Sequence, residues 1–249
     1  MCEQILPAGM QSTTDEPASI LIAMPGVQDG WINVIKFPGE DRVATIPGPK
    51  DTSTGMIMAI GLSHERETLT VLAGYESGHA VVWRQHSPSK AWQIAYMSKS
   101  HTQPVLSLAA TPDRSCFYTS SADAIIARHP LASVNTSVSM VVQTKHAGQQ
   151  SLSVRSDGRI FATAGWDGRL RTYSTKTLKE LAVLKWHKDG CYALAFAELQ
   201  DTGNRGIEQT DMAAKHNLMV SEQRTAKTKS THWIAAGSKD GKVSLWDVY

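Results

Sequence analysis

The sequence predicts an all-β chain built from repeated four-stranded antiparallel sheets, set as blades around an axis. Three observations lead there. A tight turn recurs at Asp29–Gly30, Ser77–Gly78, Asp123–Ala124, Asp167–Gly168 and Asp240–Gly241, so the intervals between first residues are 48, 46, 44 and 73. The last interval is 44 plus an insertion of 29. Short segments rich in β-branched and aromatic residues flank each turn, and no segment carries a clear 3.6-residue apolar stripe.

The elements follow in order. The first unit shows strands b, c and d at about Ser19–Ala23, Trp31–Phe37 and Arg42–Ile46. The second reads Met56–Leu62, Thr68–Tyr75, Ala80–Arg84 and Ala91–Ser98. The third reads Pro104–Ala109, Cys116–Ser120, Ile125–Arg128 and Val138–Thr144. The fourth reads Gln150–Arg155, Ile160–Ala164, Leu170–Ser174 and Glu180–Lys185. The fifth opens at Cys191–Ala197 and resumes at His232–Ala236 and Val243–Val248. Asp and Gly recur at the b–c turns because a two-residue hairpin needs positive φ, which both tolerate. Residues 199–230 carry no aromatic residue, are rich in Gln, Thr, Lys and Asn, and read as an irregular, disordered insertion. Residues 1–17 are polar and Pro-containing and read as a disordered or non-native segment, leaving 18–249 as the folded array. That amounts to about four and a half blades. A closed ring of seven would need more residues, so the chain reads as N-terminally truncated.

Bulk properties narrow the function. Net charge is +2, from 25 basic and 23 acidic residues, without the basic excess usual for a nucleic-acid partner. No apolar run is long enough to span a membrane. Cys2, Cys116 and Cys191 are too widely spaced for a disulfide framework or a zinc signature, and the last two read as core thiols of a reducing compartment.

A second periodicity accompanies the turns. His101, His146 and His187 each precede a first strand, and the aromatics Trp83, Tyr173 and Trp246 follow the turns at a fixed offset. In the third unit that slot holds His129. The fourth unit supplies the set His146, Thr163, Asp167 and Tyr173; Asp123 and Asp240 take the turn position elsewhere. Recurrence at the blade period points to structural hydrogen bonding. The turn aspartates stand one per blade, too far apart to share a proton. Phosphate-loop, nucleophile-elbow and metalloprotease motifs are absent, so neither catalysis nor a cofactor or metal is expected. The b–c turns and d–a connections collect on one rim, which makes Tyr75, Glu76, Trp166, Trp186, Lys188 and Lys239 the candidate partner-binding face. Trp and Tyr there are the residue types that dominate interface energetics. Lys176, Lys179, Lys185 and Lys188 read as a solvated surface, since strand alternation splits their faces.

The His, Ser/Thr, Asp and Trp pattern resembles the WD-repeat family, in which those four groups form a hydrogen-bond network within each blade. The resemblance implies a WD-repeat β-propeller, here an incomplete seven-bladed ring. Networks should be incomplete where the pattern fails, at Ala73 and Ser77 in the second unit and Ala236 in the fifth. The segments from Phe161 to Arg171, Leu181 to Leu184 and Trp233 to Trp246 further resemble the ASTRA-associated WD-repeat proteins of fungi, themselves similar to animal G-protein-β-like proteins. That resemblance implies a non-enzymatic nuclear scaffold in an assembly linked to chromatin remodelling. Its partners would be giant phosphatidylinositol-3-kinase-related kinases, co-chaperones and AAA-type helicases. A signalling propeller of the G-protein-β type is the alternative.

Overall fold

A computed structural model describes residues 2–4, 19–65, 68–86, 91–131, 140–199 and 220–248. Five antiparallel meanders follow the chain. The first sheet holds β1 (Cys2–Gln4), β2 (Ile20–Pro25), β3 (Ile32–Phe37) and β4 (Asp41–Ile46). The second holds β5 (Ile57–Glu65), β6 (Thr68–Tyr75), β7 (His79–His86) and β8 (Ala91–Lys99). In the third are β9 (Val105–Ala110), β10 (Cys116–Ser121), β11 (Ile125–Pro130) and β12 (Met140–Gln143). The fourth comprises β13 (Gln149–Val154), β14 (Ile160–Gly165), β15 (Arg169–Ser174) and β16 (Glu180–Lys185). The fifth has three strands: β17 (Cys191–Phe196), β18 (Trp233–Ser238) and β19 (Val243–Asp247).

The sheets therefore form a partial β-propeller, as the repeat period predicts. Consecutive first strands touch, β5 with β9, β9 with β13 and β13 with β17, which places them on the inner side of the array. The second strands of the three middle sheets are sandwiched between neighbours and bury both faces; every residue of β10 and of β14 is buried. The fourth strands are outermost, as the largely exposed β16 shows. Sheets join through aromatic and aliphatic packing. Tyr118 of the third sheet stacks on Phe161 of the fourth at 4.6 Å, and Phe161 on Tyr173 at 5.1 Å.

Four of the five b–c turns contain a glycine at positive φ, namely Gly30, Gly78, Gly168 and Gly241. Gly78 also needs its missing side chain, because a Cβ there would stand 2.2 Å from the carbonyl oxygen of His101. The third turn does without glycine. The Asp123 carboxylate accepts from the backbone N–H of Ile125 and fixes the bend.

Two expectations need correction. Cys2–Gln4 is a strand paired with β2, so the first sheet has a fourth strand and the opening segment is not wholly irregular. Within the insertion, Val220–Ser230 forms a helix, α1. It has no apolar face, and the Trp233 indole donates to the Thr228 carbonyl at its end. The remainder of the insertion, 200–219, and most of the opening segment lie outside the described residues. Among the described residues no helix is long and apolar enough to cross a membrane.

Candidate protein-docking face

The turn rim is held by buried polar chains, which start from sheet register. Residues four before and four after each turn aspartate face each other across β-strands b and c. The pairs are Thr119–Ala127, Thr163–Arg171 and Ala236–Ser244. Which member carries the hydroxyl decides the chemistry of each blade.

In the third sheet the hydroxyl is Thr119, fully buried. His101 Nε2 lies 2.7 Å and His129 Nε2 2.9 Å from its Oγ1. His101 Nδ1 is 3.2 Å from Asp123 Oδ1, and Tyr96 Oη is 3.1 Å from His129 Nδ1. With both rings neutral one direction satisfies every atom. Tyr96 donates to His129, His129 to Thr119, Thr119 to His101, and His101 to Asp123. Burial, reinforced by the neighbouring His101, lowers the His129 pKa to about 3. Burial likewise lowers His101, against the upward pull of Asp123. His129, a departure from the aromatic pattern in the sequence, thus takes the donor role of the tryptophan.

In the fifth sheet the expected gap at Ala236 is filled from the opposite strand. Ser244 Oγ lies 2.8 Å from His187 Nε2 and accepts from Trp246 Nε1 at 2.9 Å; His187 Nδ1 is 3.4 Å from Asp240 Oδ2. The incompleteness expected there is corrected: the hydroxyl has moved one strand across, and Ala236 leaves the room for it. Ser244→Ala should lower unfolding free energy by about 1–3 kcal/mol by orphaning two buried donors or acceptors. Adding Ala236→Thr should recover most of that loss in urea midpoints; no recovery would show that the strands are not interchangeable sources.

The fourth sheet departs most. His146 is only half-buried, and its backbone carbonyl, not its ring, receives the hydrogen bond of Gln149. Asp167 instead grips the buried Arg171 guanidinium through two bonds, of 2.5 and 3.2 Å. Burial pulls the Asp167 carboxyl upward, but the Arg171 hydrogen bonds and charge outweigh it and hold the group below the usual carboxylate range. The set His146, Thr163, Asp167 and Tyr173 is therefore corrected: Arg171 occupies the Asp167 carboxylate that a histidine was expected to bind. Tyr173 lies beside Gln149 and Thr163, yet its hydroxyl, the Thr163 hydroxyl and the Gln149 carbonyl oxygen make no well-formed hydrogen bond. In the second sheet, Trp83 Nε1 donates to the buried Tyr75 hydroxyl at 3.4 Å, and Ser77 Oγ meets His79 Nδ1 at 2.7 Å.

The candidate face divides accordingly. Tyr75 does not belong to it: the side chain is fully buried, because both faces of β6 are covered. Glu76 is exposed, but its carboxylate folds back to accept from the Met56 N–H at 3.3 Å. Trp166 is 45% exposed, donates to Gln150 Oε1 at 2.9 Å, and lies flat over Gly148, whose missing Cβ would be 2.1 Å from its ring. Trp186 is 54% exposed, meets His187 edge-on at 4.8 Å, and has Lys242 Nζ 5.7 Å above its ring. Lys188 and Lys239 are exposed on the same rim. The 187–190 connection packs on the 166–168 turn: Gly168 faces the carbonyls of His187 and Asp189, and Gly190 that of Trp166. Tyr192 joins them, half-exposed. The register shift between Cys191 and Ala193 makes it the extra residue of a bulge and aims it outward. The sequence carries no sign of that bulge.

Among the described residues no cluster of His, Cys, Asp or Glu could hold a metal ion. What the rim offers is a rigid surface with two half-exposed indoles, a phenol and lysines.

The family described as "WD domain, G-beta repeat" matches residues 92–127, 139–174 and 226–247. The first two matches run from an outermost strand through the next sheet's third strand, β8 to β11 and β12 to β15. Proteins named ASTRA-associated protein 1 are similar over most of the chain. That of Verticillium alfalfae is 44% identical, over 94% of this chain and 60% of its own length. That of Aspergillus flavus is 43% identical, over 92% and 59%. That of Pyricularia oryzae is 36% identical, over 94% and 69%. The chain thus spans about three-fifths of the length of the first two relatives. With its repeated sheets and turn-rim networks, it belongs to the ASTRA-associated protein 1 family of WD-repeat proteins.

Proposed function

We propose that the chain is a non-enzymatic scaffold in a nuclear ASTRA assembly, linked to chromatin remodelling and to maturation of phosphatidylinositol-3-kinase-related kinases. The observation that carries the docking reading is the pair of half-exposed tryptophans, Trp166 and Trp186, on a rim braced by buried hydrogen-bond chains. Large aromatic side chains held rigidly lose little conformational entropy on binding, which suits them as anchors for a protein partner. The names of the relatives support an associated complex. Giant kinase-related proteins, co-chaperones and AAA-type helicases are its proposed partners, without direct nucleic-acid or membrane contact. A G-protein-β-type signalling role is the second reading.

Affinity purification of the full-length protein followed by mass spectrometry tests the assignment. Recovery of giant kinase-like proteins with AAA-type helicases is expected; recovery of a small coiled-coil γ-type subunit instead would favour the signalling reading. Trp186→Ala should weaken capture by about 30-fold, the equivalent of about 2 kcal/mol at a hot spot, with melting unchanged. Trp166→Ala should weaken capture similarly. Loss of thermal stability without loss of partner would reduce Trp166 to a cap over Gly148.

A further inference from the structure

On the rim opposite the b–c turns, a cleft of about 330 Å³ opens between the third and fourth sheets. The β9–β10 turn, the β13–β14 turn and the start of the β15–β16 connection form its mouth, with Cys116, Tyr118 and Arg128 deeper on the third sheet. The Tyr118 hydroxyl donates to the Thr175 carbonyl at 2.8 Å and ties the two walls together.

The acceptors of this cleft are already engaged. Asp157 takes two bonds from Arg155, at 2.6 and 2.9 Å, and one from the Arg159 N–H at 3.0 Å. Asp113 Oδ1 accepts from the Ser115 N–H and hydroxyl. Thr175 Oγ1 donates to the backbone carbonyls of Gly158 and Arg159. The cations are not so engaged. Arg128 uses only its Nε, toward Cys116 Sγ at 3.3 Å, leaving both terminal amino groups without a hydrogen bond among the described residues. Lys176 is exposed and likewise has no partner there. Arg155, outside the lining, pairs with Asp157 and cancels its charge, so Arg128 and Lys176 against Asp113 leave the cleft a surplus of one positive charge.

We propose that this cleft binds the carboxylate side chain of a single glutamate or aspartate from a partner protein. A planar carboxylate matches the free end of a guanidinium, and one negative charge matches the surplus. A dianionic phosphate would exceed that surplus and face Asp113 and Asp157. Pro112, Cys116 and the Tyr118 ring supply an apolar wall for the methylene stem. Only the protein source of the carboxylate rests on the scaffold reading; the cleft and its charge do not.

The test is an NMR titration of the ¹⁵N-labelled whole chain with N-acetyl-glutamate N-methylamide, its glutamine counterpart and inorganic phosphate. The Arg128 Nε–H and Ser115 amide signals should shift saturably with the glutamate compound and stay still with the glutamine one. Phosphate should bind more weakly. Arg128→Gln should abolish the response. Lys176→Glu changes an exposed residue, preserves the fold, and should weaken binding about tenfold by reversing the surplus charge. Equal response to the glutamine compound, tighter binding of phosphate, or unchanged affinity in Lys176→Glu would each overturn the assignment. None of these outcomes depends on recovering the proposed assembly.

Discussion

Phe161→Ala is expected to lower the unfolding free energy by about 3–5 kcal/mol, a large share of the stability of an ordinary domain. Phe161 is fully buried, and its ring is the middle layer of a three-ring stack. Tyr118 covers one side at an interplanar angle of 21°, Tyr173 the other at 14°. Tyr118 belongs to the third sheet and the other two to the fourth, so truncation empties the seam between sheets. The surrounding backbone is pinned by strand pairing on both sides and cannot collapse into the space. Phe161→Leu keeps most of the volume and loses only the ring contacts, so it should cost about 1–2 kcal/mol. Urea unfolding of both variants measures the two terms. Similar costs for both would mean that the seam relaxes, and that the sheets are held together elsewhere.

Of that seam the sequence showed Tyr173, through its fixed offset from the hairpin turn; Phe161 lies in a strand buried at every position, where no alternation singles it out. Strands and turns were legible for the same local reason: β6 and β16 have the bounds expected from their residues alone. The sites were less so, because their determinants are not local. Ser244 replaces the missing hydroxyl at Ala236 only through cross-strand register, which the symmetric spacing about Asp240 would have revealed. Arg171 looks like an ordinary strand residue until Asp167 and the fold bury it. Tyr75 adjoins a turn, so it looked exposed; burial of both faces of β6 overrides that. Tyr192 depends on a bulge. Cys2–Gln4 pairs with β2 across fifteen intervening residues, 5–19, and three polar or small positions give no strand signal by themselves.

The buried histidines make stability fall as the solution is acidified through a range where carboxylates are still ionised. The folded-state pKa of His129 is about 3, against about 6.5 for an exposed histidine. Above pH 6.5 the ring is neutral in both states and contributes no pH dependence. Between 6.5 and 3 the unfolded chain binds a proton that the folded chain refuses, so each pH unit removes about 1.4 kcal/mol. From pH 7 to pH 5 the loss from His129 is therefore about 2 kcal/mol, and His101, lowered in the same direction, adds to it. The depressed carboxyls of Asp113, Asp157 and Asp167 act in a lower window, since their contribution is present above the ordinary carboxylate pKa and disappears below it. His129→Trp puts into the slot the residue that serves Ser244 as donor in the fifth sheet. The larger ring will strain against Phe117, which stacks on His129 at 4.7 Å, so absolute stability should drop. The pH slope is the informative quantity: it should shrink by about 2 kcal/mol over pH 7 to 5 in urea titrations, because tryptophan does not titrate. An unchanged slope would show that His129 is not a source of the acid sensitivity and would mean that a histidine in that slot does not stay neutral as the chain of donors requires.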